Sequence, residues 1–411
     1  SINTKIAYTE PLAKDFYMEA SYTFGYYNNS NNRITNFTDN NGKYSELVDS
    51  LSNSYVFNRL INTPGLNFRM NKKKYNYSFG TAVAFSNFVQ KNITTGLNTN
   101  YKYTNFFPSA AFTYKFKSNE SFRINYNGST NAPSLQQLQP IPVNTDPLNV
   151  YTGNPDLNQS FQHSLNMGYN FYNVLKERNL FSNFRASFTQ NAFVNSSVVD
   201  SVGKRTYQTV NANGVYDINF YMQYGIKIKK IDVRFGPSIG TNRNVDFING
   251  VKNLTDNTNY GVELGIGRYI ENKWNFYLGP RFSWVHSKAS VNSAANADYW
   301  QLEGWGNANI TLPKKFEFNT EVNTQLRQKD PRFAQNNNFT KINAEIIKRF
   351  FKGNDLELKF GIYDILNQNR GYERNFNSSS FTETYYTTLK RYWLFTITWN
   401  ISKNGKPASG F

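Results

Sequence analysis

The chain contains no cysteine and only two histidines, His163 and His286. Without cysteine there is no disulfide framework and no thiolate metal site. Two histidines leave little from which to build a multi-histidine centre, so neither a metal nor a cofactor is expected. Long apolar runs are missing as well. Nowhere do about 18 apolar residues follow one another, which excludes a membrane-crossing helix. Only 39% of the 411 residues are hydrophobic and the mean hydropathy is −0.63, which argues against a buried α/β core of the usual richness. The opening residues, SINTKIAYTEPLAKD, lack the charged start and apolar stretch of an export signal.

Aromatic residues, by contrast, are abundant: 35 Phe, 29 Tyr and 6 Trp. An intrinsically disordered chain is depleted in such residues. Low hydropathy with many aromatics fits an antiparallel β-barrel in lipid, in which only every second strand residue has to be apolar. The stretch from Tyr260 to His286 has that pattern. Tyr260, Val262, Leu264 and Ile266 alternate with Gly261, Glu263, Gly265 and Gly267; after Glu271-Asn272-Lys273, Trp274, Phe276, Leu278, Pro280, Phe282 and Trp284 alternate with Asn275, Tyr277, Gly279, Arg281 and Ser283. A period of two assigns one set to each face of a strand. The same alternation recurs in Phe122–Tyr126, Ile218–Ile228, Phe316–Val322, Leu356–Ile362 and Trp393–Ile401.

The connections also alternate. Short ones are expected around 11–15, 71–74, 117–120, 174–178, 229–230, 271–273, 313–315 and 351–355. Longer Asn-, Ser- and Gly-rich ones are expected around 28–53, 90–97, 130–159, 195–205, 244–258, 287–297, 328–338 and 367–385. Tight turns at one end and long loops at the other are the pattern of an outer-membrane barrel; the repeated blades of a soluble propeller are not found. Trp274 and Trp284 lie on one face at a spacing worth roughly 23 Å of membrane depth, close to the ~25 Å between aromatic girdles. Sandwich strands are usually only ~5–6 residues long. Trp393 and Trp399 are further girdle candidates, and Glu263, Asn275, Arg281, Glu317 and Glu321 are expected on the lumen side.

The formal charge is +17, but Lys72-Lys73-Lys74, Lys176, Arg178, Lys229-Lys230, Lys273, Lys314-Lys315 and Lys352 fall in the short connections. A nucleic-acid footprint would gather on a recognisable module, so no nucleic-acid partner is expected. Solvated turns and contact with anionic lipid headgroups both account for these residues. Placing strands between the connections gives about 17. The first strand leads into a short turn and the last follows a long loop, so both descend, whereas single-chain bacterial barrels have an even number of strands. An odd number is therefore expected upstream, together with the export signal. About five more would complete a wall of about 22 strands, with residues 1–411 as its single C-terminal barrel domain.

The most informative connection is NAPSLQQLQPIPVNTDPLNVYTGNPDLNQS, from Asn131. Gly153-Asn154-Pro155-Asp156-Leu157 resembles the G-N-P-x-L-K-P-E signature of TonB-dependent outer-membrane receptors, and Ala132-Pro133-Ser134-Leu135 with Leu138 resembles its lead-in. FFPSAAFTYKF (106–116) and DILNQNRGYERN (364–375) are similar to segments of the TonB-receptor-like outer membrane β-barrel family of Bacteroidota. Asn158, Gln159 and Ser160 stand where Lys, Pro and Glu are usual. The resemblance implies a plugged 22-stranded barrel that imports a substrate when TonB, reached through an upstream region, pulls on the plug. The residues alone also permit a plain turn returning the chain to the wall.

No catalytic residues are expected. His163 and Ser164 are adjacent on a strand and point to opposite faces, whereas a general base must reach its nucleophile. Three functions remain open: a TonB-dependent importer of a nutrient or chelate, a non-transporting scaffold whose loops dock surface lipoproteins, and a passive porin. All three place the chain in outer-membrane lipid.

Overall fold

The computed structural model describes residues 1–48, 52–93, 96, 98–139, 142–146, 148–291, 293, 296–332, 336, 338–376 and 381–401. Parts of several long connections, and residues 402–411, lie outside the described residues. The wall begins with β1 (Ile2–Ala13), β2 (Phe16–Arg33), β3 (Asn53–Asn71), β4 (Tyr75–Asn92), β5 (Asn98–Lys117) and β6 (Glu120–Asn131). It continues with β7 (Ser160–Asn173), β8 (Arg178–Gln190), β9 (Val215–Ile228), β10 (Ile231–Ile248), β11 (Val251–Ile270) and β12 (Trp274–Ala289). It ends with β13 (Ala297–Leu312), β14 (Phe316–Arg327), β15 (Phe339–Phe350), β16 (Leu356–Tyr363) and β17 (Tyr392–Trp399).

Each wall strand pairs antiparallel with the next, from β1 to β17. The seventeen wall strands match the about seventeen expected, but eight further strands lie in or beside stretches expected to be loops. The wall is not closed: β1 and β17 are not paired among the described residues, so the sheet is open at both edges. The physical reason lies in the direction of the chain. With an odd number of antiparallel strands, β1 and β17 run the same way and cannot complete an antiparallel ladder with each other.

All eight short connections lie at one end of the sheet. Many contain a residue in left-handed conformation, including Asp15, Glu177, Lys229, Asn272, Lys314 and Asn354, which reverses the chain within a few residues. The basic residues of these turns are thereby gathered along a single rim.

The opposite end departs from expectation in several places, among them a hairpin of Tyr372–Phe376 and Phe381–Tyr385 within the loop expected at 367–385. Residues 244–258, read as a long loop, are the continuation of β10 and β11, whose register is unbroken from Asp232↔Gly267 to Ile248↔Val251. Asn249 and Gly250 turn the chain with φ of 50° and 79°, the pair of positive values that a two-residue type I′ hairpin needs. Replacing Gly250 by Val is expected to destabilise this tip by about 1–2 kcal/mol, read as faster protease cleavage there; unchanged cleavage would contradict the assignment. Residues 195–205, also read as a loop, belong to a hairpin of Ala192–Val199 and Arg205–Ala212. Ala192, Val194, Ala212 and Val245 form a small buried core beneath it, packed by Val210, Val215, Phe247 and Leu254. Polar composition concealed the strands because only one side of the hairpin is covered.

That hairpin carries the sheet beyond the wall. Arg205–Gln208 pairs parallel with Asn149–Thr152, which pairs antiparallel with Val143–Asp146, while Ser196–Ser197 pairs parallel with the end of β10. The 21-stranded sheet is thus seventeen wall strands plus these four.

A separate hairpin, Asn36–Thr38 with Tyr44–Leu47, rises from the β2–β3 connection. Asp39 holds its turn: Oδ2 accepts from the Ser45 hydroxyl at 2.6 Å and Oδ1 from the backbone N–H groups of Lys43 and Asn41, each at 2.9 Å. The Ser45 hydroxyl first, then the Lys43 and Asn41 amides, hold the Asp39 carboxyl below its ordinary 3.8. A depressed carboxylate contributes stability that is fully present above the unfolded value and lost as pH falls through the folded one. The turn should therefore persist at pH 3.8 and open below it. A carboxyl NMR titration of Asp39 with a midpoint at or above 3.8 would contradict this.

Candidate functional site: the polar face and the turn at Gly153

One face of the wall is apolar and exposed. Tyr260, Val262, Leu264 and Ile266 on β11 face the same way as Leu278, Phe282 and Trp284 on β12, and all are exposed. Phe79, Phe112, Phe235, Ile239, Phe360 and Phe395 extend that exposed surface over the other strands. A contiguous apolar area this large is out of place in water and marks contact with lipid.

The other face is polar. Glu263, Arg281, Glu303 and Gln325 form one row across β11–β14, and Arg281 donates to the Ser238 hydroxyl at 3.3 Å. Asn275 lies in a second row with Asn309, Asn319 and Glu345. Glu317 is held at 2.6 Å by Arg349, which also donates to Glu357 at 2.9 Å. Glu321 lies opposite Asn307 and Asn343 and accepts from Trp305 Nε1 at 3.2 Å. All five residues singled out from the sequence share this face, although in separate rows.

Trp274, Trp284, Trp393 and Trp399 all lie on the apolar face. Trp284 is paired with Tyr260 and Trp300, and the Arg268 guanidinium sits 4.9 Å from the Trp274 ring. Sequence reasoning passed over two tryptophans. Trp300 joins Trp284 on the apolar side, 6.4 Å from Phe282 between ring centres, whereas Trp305 is on the polar face, 5.4 Å from Tyr277. Their odd–even offset within β13 was the available signal. It separates them, but only the register to β12 says which faces lipid.

The Gly153 turn is built from several segments. Ser134 and Gln137 form a reciprocal cap, Ser134 N and Oγ each 2.9 Å from Gln137 Oε1, which starts the single helical turn Leu135–Leu138. Pro133, Leu138 and Leu157 are buried. Gly153 N donates to Gln139 O at 3.0 Å and Asn154 N to Gln137 O at 2.6 Å. Gln208 Nε2 donates to Gly153 O, and Asn154 Nδ2 to Thr209 O, both at 3.1 Å. Asn154 Oδ1 also accepts from Asp156 N at 3.0 Å. A Cβ on Gly153 would lie 2.1 Å from Gln139 O, so the contact requires glycine. These groups tie the turn to the hairpin above the wall, while Pro155 and the Asp156 side chain stay exposed.

His163 Nδ1 lies 2.9 Å from the Tyr126 hydroxyl, and Ser164 lies on the opposite face of the strand. His286 Nδ1 is 3.7 Å from Asp298. Among the described residues no group of three or more potential ligands is placed to hold a metal.

An antiparallel wall with a lipid-compatible face, a polar face, tight turns at one end and long extensions at the other defines an outer-membrane β-barrel protein. The outer membrane protein beta-barrel family model matches residues 1–399, and the chain belongs to that family and to the outer membrane. No curated protein matches it. Among solved structures it is similar to the copper transporter OprC, at 11% identity and a TM-score of 0.47, over 97% of this chain and 67% of that one. It is also similar to BauA, the ferric preacinetobactin receptor from Acinetobacter baumannii, at 8% identity and a TM-score of 0.43, over 97% of this chain and 62% of that one. A third similar structure is P. aeruginosa FpvA in complex with a heterologous pyoverdine and iron, at 10% identity and a TM-score of 0.33, over 96% of this chain and 63% of that one. The chain spans about two thirds of the length of these proteins.

Proposed function

We infer that the chain is the barrel portion of a TonB-dependent outer-membrane importer, completed by further strands into a wall of about 22 and filled by a plug. The observation that carries this reading is the extent of the polar face. A wall of 16–18 strands already encloses more space than its own side chains fill, and larger transporter barrels are plugged. Rows such as Glu263–Arg281–Glu303 offer charges of both signs to a folded polar plug. In this reading Glu263, Asn275, Arg281, Glu317 and Glu321 line the lumen, and Trp274, Trp284, Trp393 and Trp399 belong to the aromatic girdles. The parallel directions of β1 and β17 support an odd number of added strands, and the Gly153–Leu157 resemblance supports the receptor class.

The test uses the full protein extracted from outer membranes. It is expected to bind the periplasmic domain of TonB and to show no steady conductance in planar bilayers. A steady ohmic current without TonB binding would identify an open pore. Silence without TonB binding would identify a scaffold. Either result would overturn the importer.

A further inference from the structure

At the long-loop end of the polar face a cavity of about 390 Å³ opens between β14, β15, β16 and β17, lined among others by Glu321, Asn323, Lys341, Tyr363, Leu389 and Tyr392. The volume lies within the range of small-molecule sites, about 300–1,000 Å³. Its walls are firmly built. The buried Asp364 carboxylate accepts the backbone N–H groups of Gln368 and Asn369, each at 2.9 Å, and its own N–H donates to Asn343 Oδ1 at 3.0 Å. The Asn369 amide in turn donates to Thr388 Oγ1 at 2.9 Å and Leu389 O at 2.8 Å. Tyr363 and Tyr392 stack at 4.9 Å between ring centres, within 14° of parallel.

The charges nearby are used unequally. Glu345 is engaged by the Tyr363 hydroxyl at 2.5 Å and by Lys359 at 3.5 Å. Lys341 and Glu321 form no ion pair among the described residues, with each other or with any other side chain: the Lys341 ammonium lies 5.2 Å from the centre of the Phe339 ring, and the Glu321 carboxylate accepts the Trp305 indole N–H. The register pairs Asn323 with Lys341 and Glu321 with Asn343, so Lys341 and Glu321 are diagonal neighbours about 7–8 Å apart, with their Cβ atoms somewhat closer. Both side chains are long enough to meet across that span, and they stand apart around a cavity instead. An ammonium and a carboxylate separated in one pocket, beside a pair of stacked rings, match a ligand carrying the opposite charges and an apolar group.

We propose that this cavity binds a small zwitterion, an amino acid or dipeptide with free amino and carboxylate groups. Lys341 takes the carboxylate, Glu321 the ammonium, and Leu389 with the Tyr363–Tyr392 pair takes the apolar side chain. The site is independent of whether the barrel is energised by TonB, since binding at this rim requires no transport.

The experiment is calorimetry on the full protein, extracted from outer membranes in a polyoxyethylene detergent, with three probes. These are glycyl-phenylalanine, its N-acetyl derivative and its C-terminal amide. Saturable binding is expected for the free dipeptide, with at least about a tenfold loss when either terminus is blocked. Lys341→Gln should weaken the free dipeptide and erase discrimination against the amide; Glu321→Gln should erase discrimination against the N-acetyl form. Heat-modifiable migration in gels confirms that each variant is folded. No saturable binding of the free dipeptide, equal binding of all three probes, or unchanged discrimination in both folded variants would each overturn the proposal.

Discussion

Leu278→Arg is expected to block assembly of the wall in membranes, or to destabilise it by about 2–4 kcal/mol, the cost of a cation near the middle of the lipid-facing band. Leu278 lies near the midpoint between Trp274 and Trp284 and is 52% exposed on the apolar face, opposite Ile266 and Gly306. An arginine there has water within reach at neither girdle. Its stem would also displace the leucine that covers Gly306, where a Cβ would meet Leu278 Cδ2 at 2.5 Å. The control is Asn275→Arg on the same strand, three residues away and on the polar face beside Tyr269 and Asn309, which should be tolerated. Folding titrations into lipid vesicles compare the two directly. Equal stability of the variants would mean that the face assignment of β12 is wrong.

Gly153→Val should have the second largest effect, on the region above the wall. The backbone of Gly153 approaches Gln139 so closely that a Cβ would overlap both its carbonyl oxygen and carbon, at 2.1 and 2.6 Å. Backbone cannot rotate away as a side-chain tip can, so the turn must separate from the Leu135–Leu138 segment. Overpacking of this kind costs about 1–3 kcal/mol. It also breaks the bonds from Gly153 N to Gln139 O and from Gln208 Nε2 to Gly153 O. The expected result is protease sensitivity between residues 139 and 160 with the wall intact, read as unchanged heat-modifiability in gels. Wild-type protease resistance would show that the contact is dispensable. Pro155→Ala, at an exposed position, should change little by comparison.

The two predictions also show which features were readable before the fold was known. Leu278 and Asn275 could be assigned to opposite faces because the lipid-facing pattern is local: alternate side chains of an extended strand must point apart. The short connections were legible for a similar reason. Each had to turn within a few residues, and Asp, Asn and Lys between alternating segments mark such sites. The requirement for glycine at position 153 had no local signal. It comes from Gln139, brought near by the return of the chain, and Gly-Asn-Pro is an acceptable turn without it. The extensions at Asn249-Gly250 and at Ala192–Ala212 were hidden because strands standing in water carry the same Asn and Ser as loops do, although Asn249-Gly250 itself was a hairpin signal.

The sequence by itself determined the strand period, the seventeen wall strands, the alternation of tight and long connections and the separation of an apolar from a polar face, because these depend on residues near each other along the chain. Only the tertiary structure decided that β1 and β17 are not paired with each other among the described residues, that Trp300 and Trp305 face opposite sides, that Glu317 is taken by Arg349 while Lys341 and Glu321 stand apart around a cavity, and that the Gly153 turn anchors an added sheet. Those outcomes depend on register between strands and on contacts far apart in sequence, and a one-residue slip in register would move each side chain to the other face.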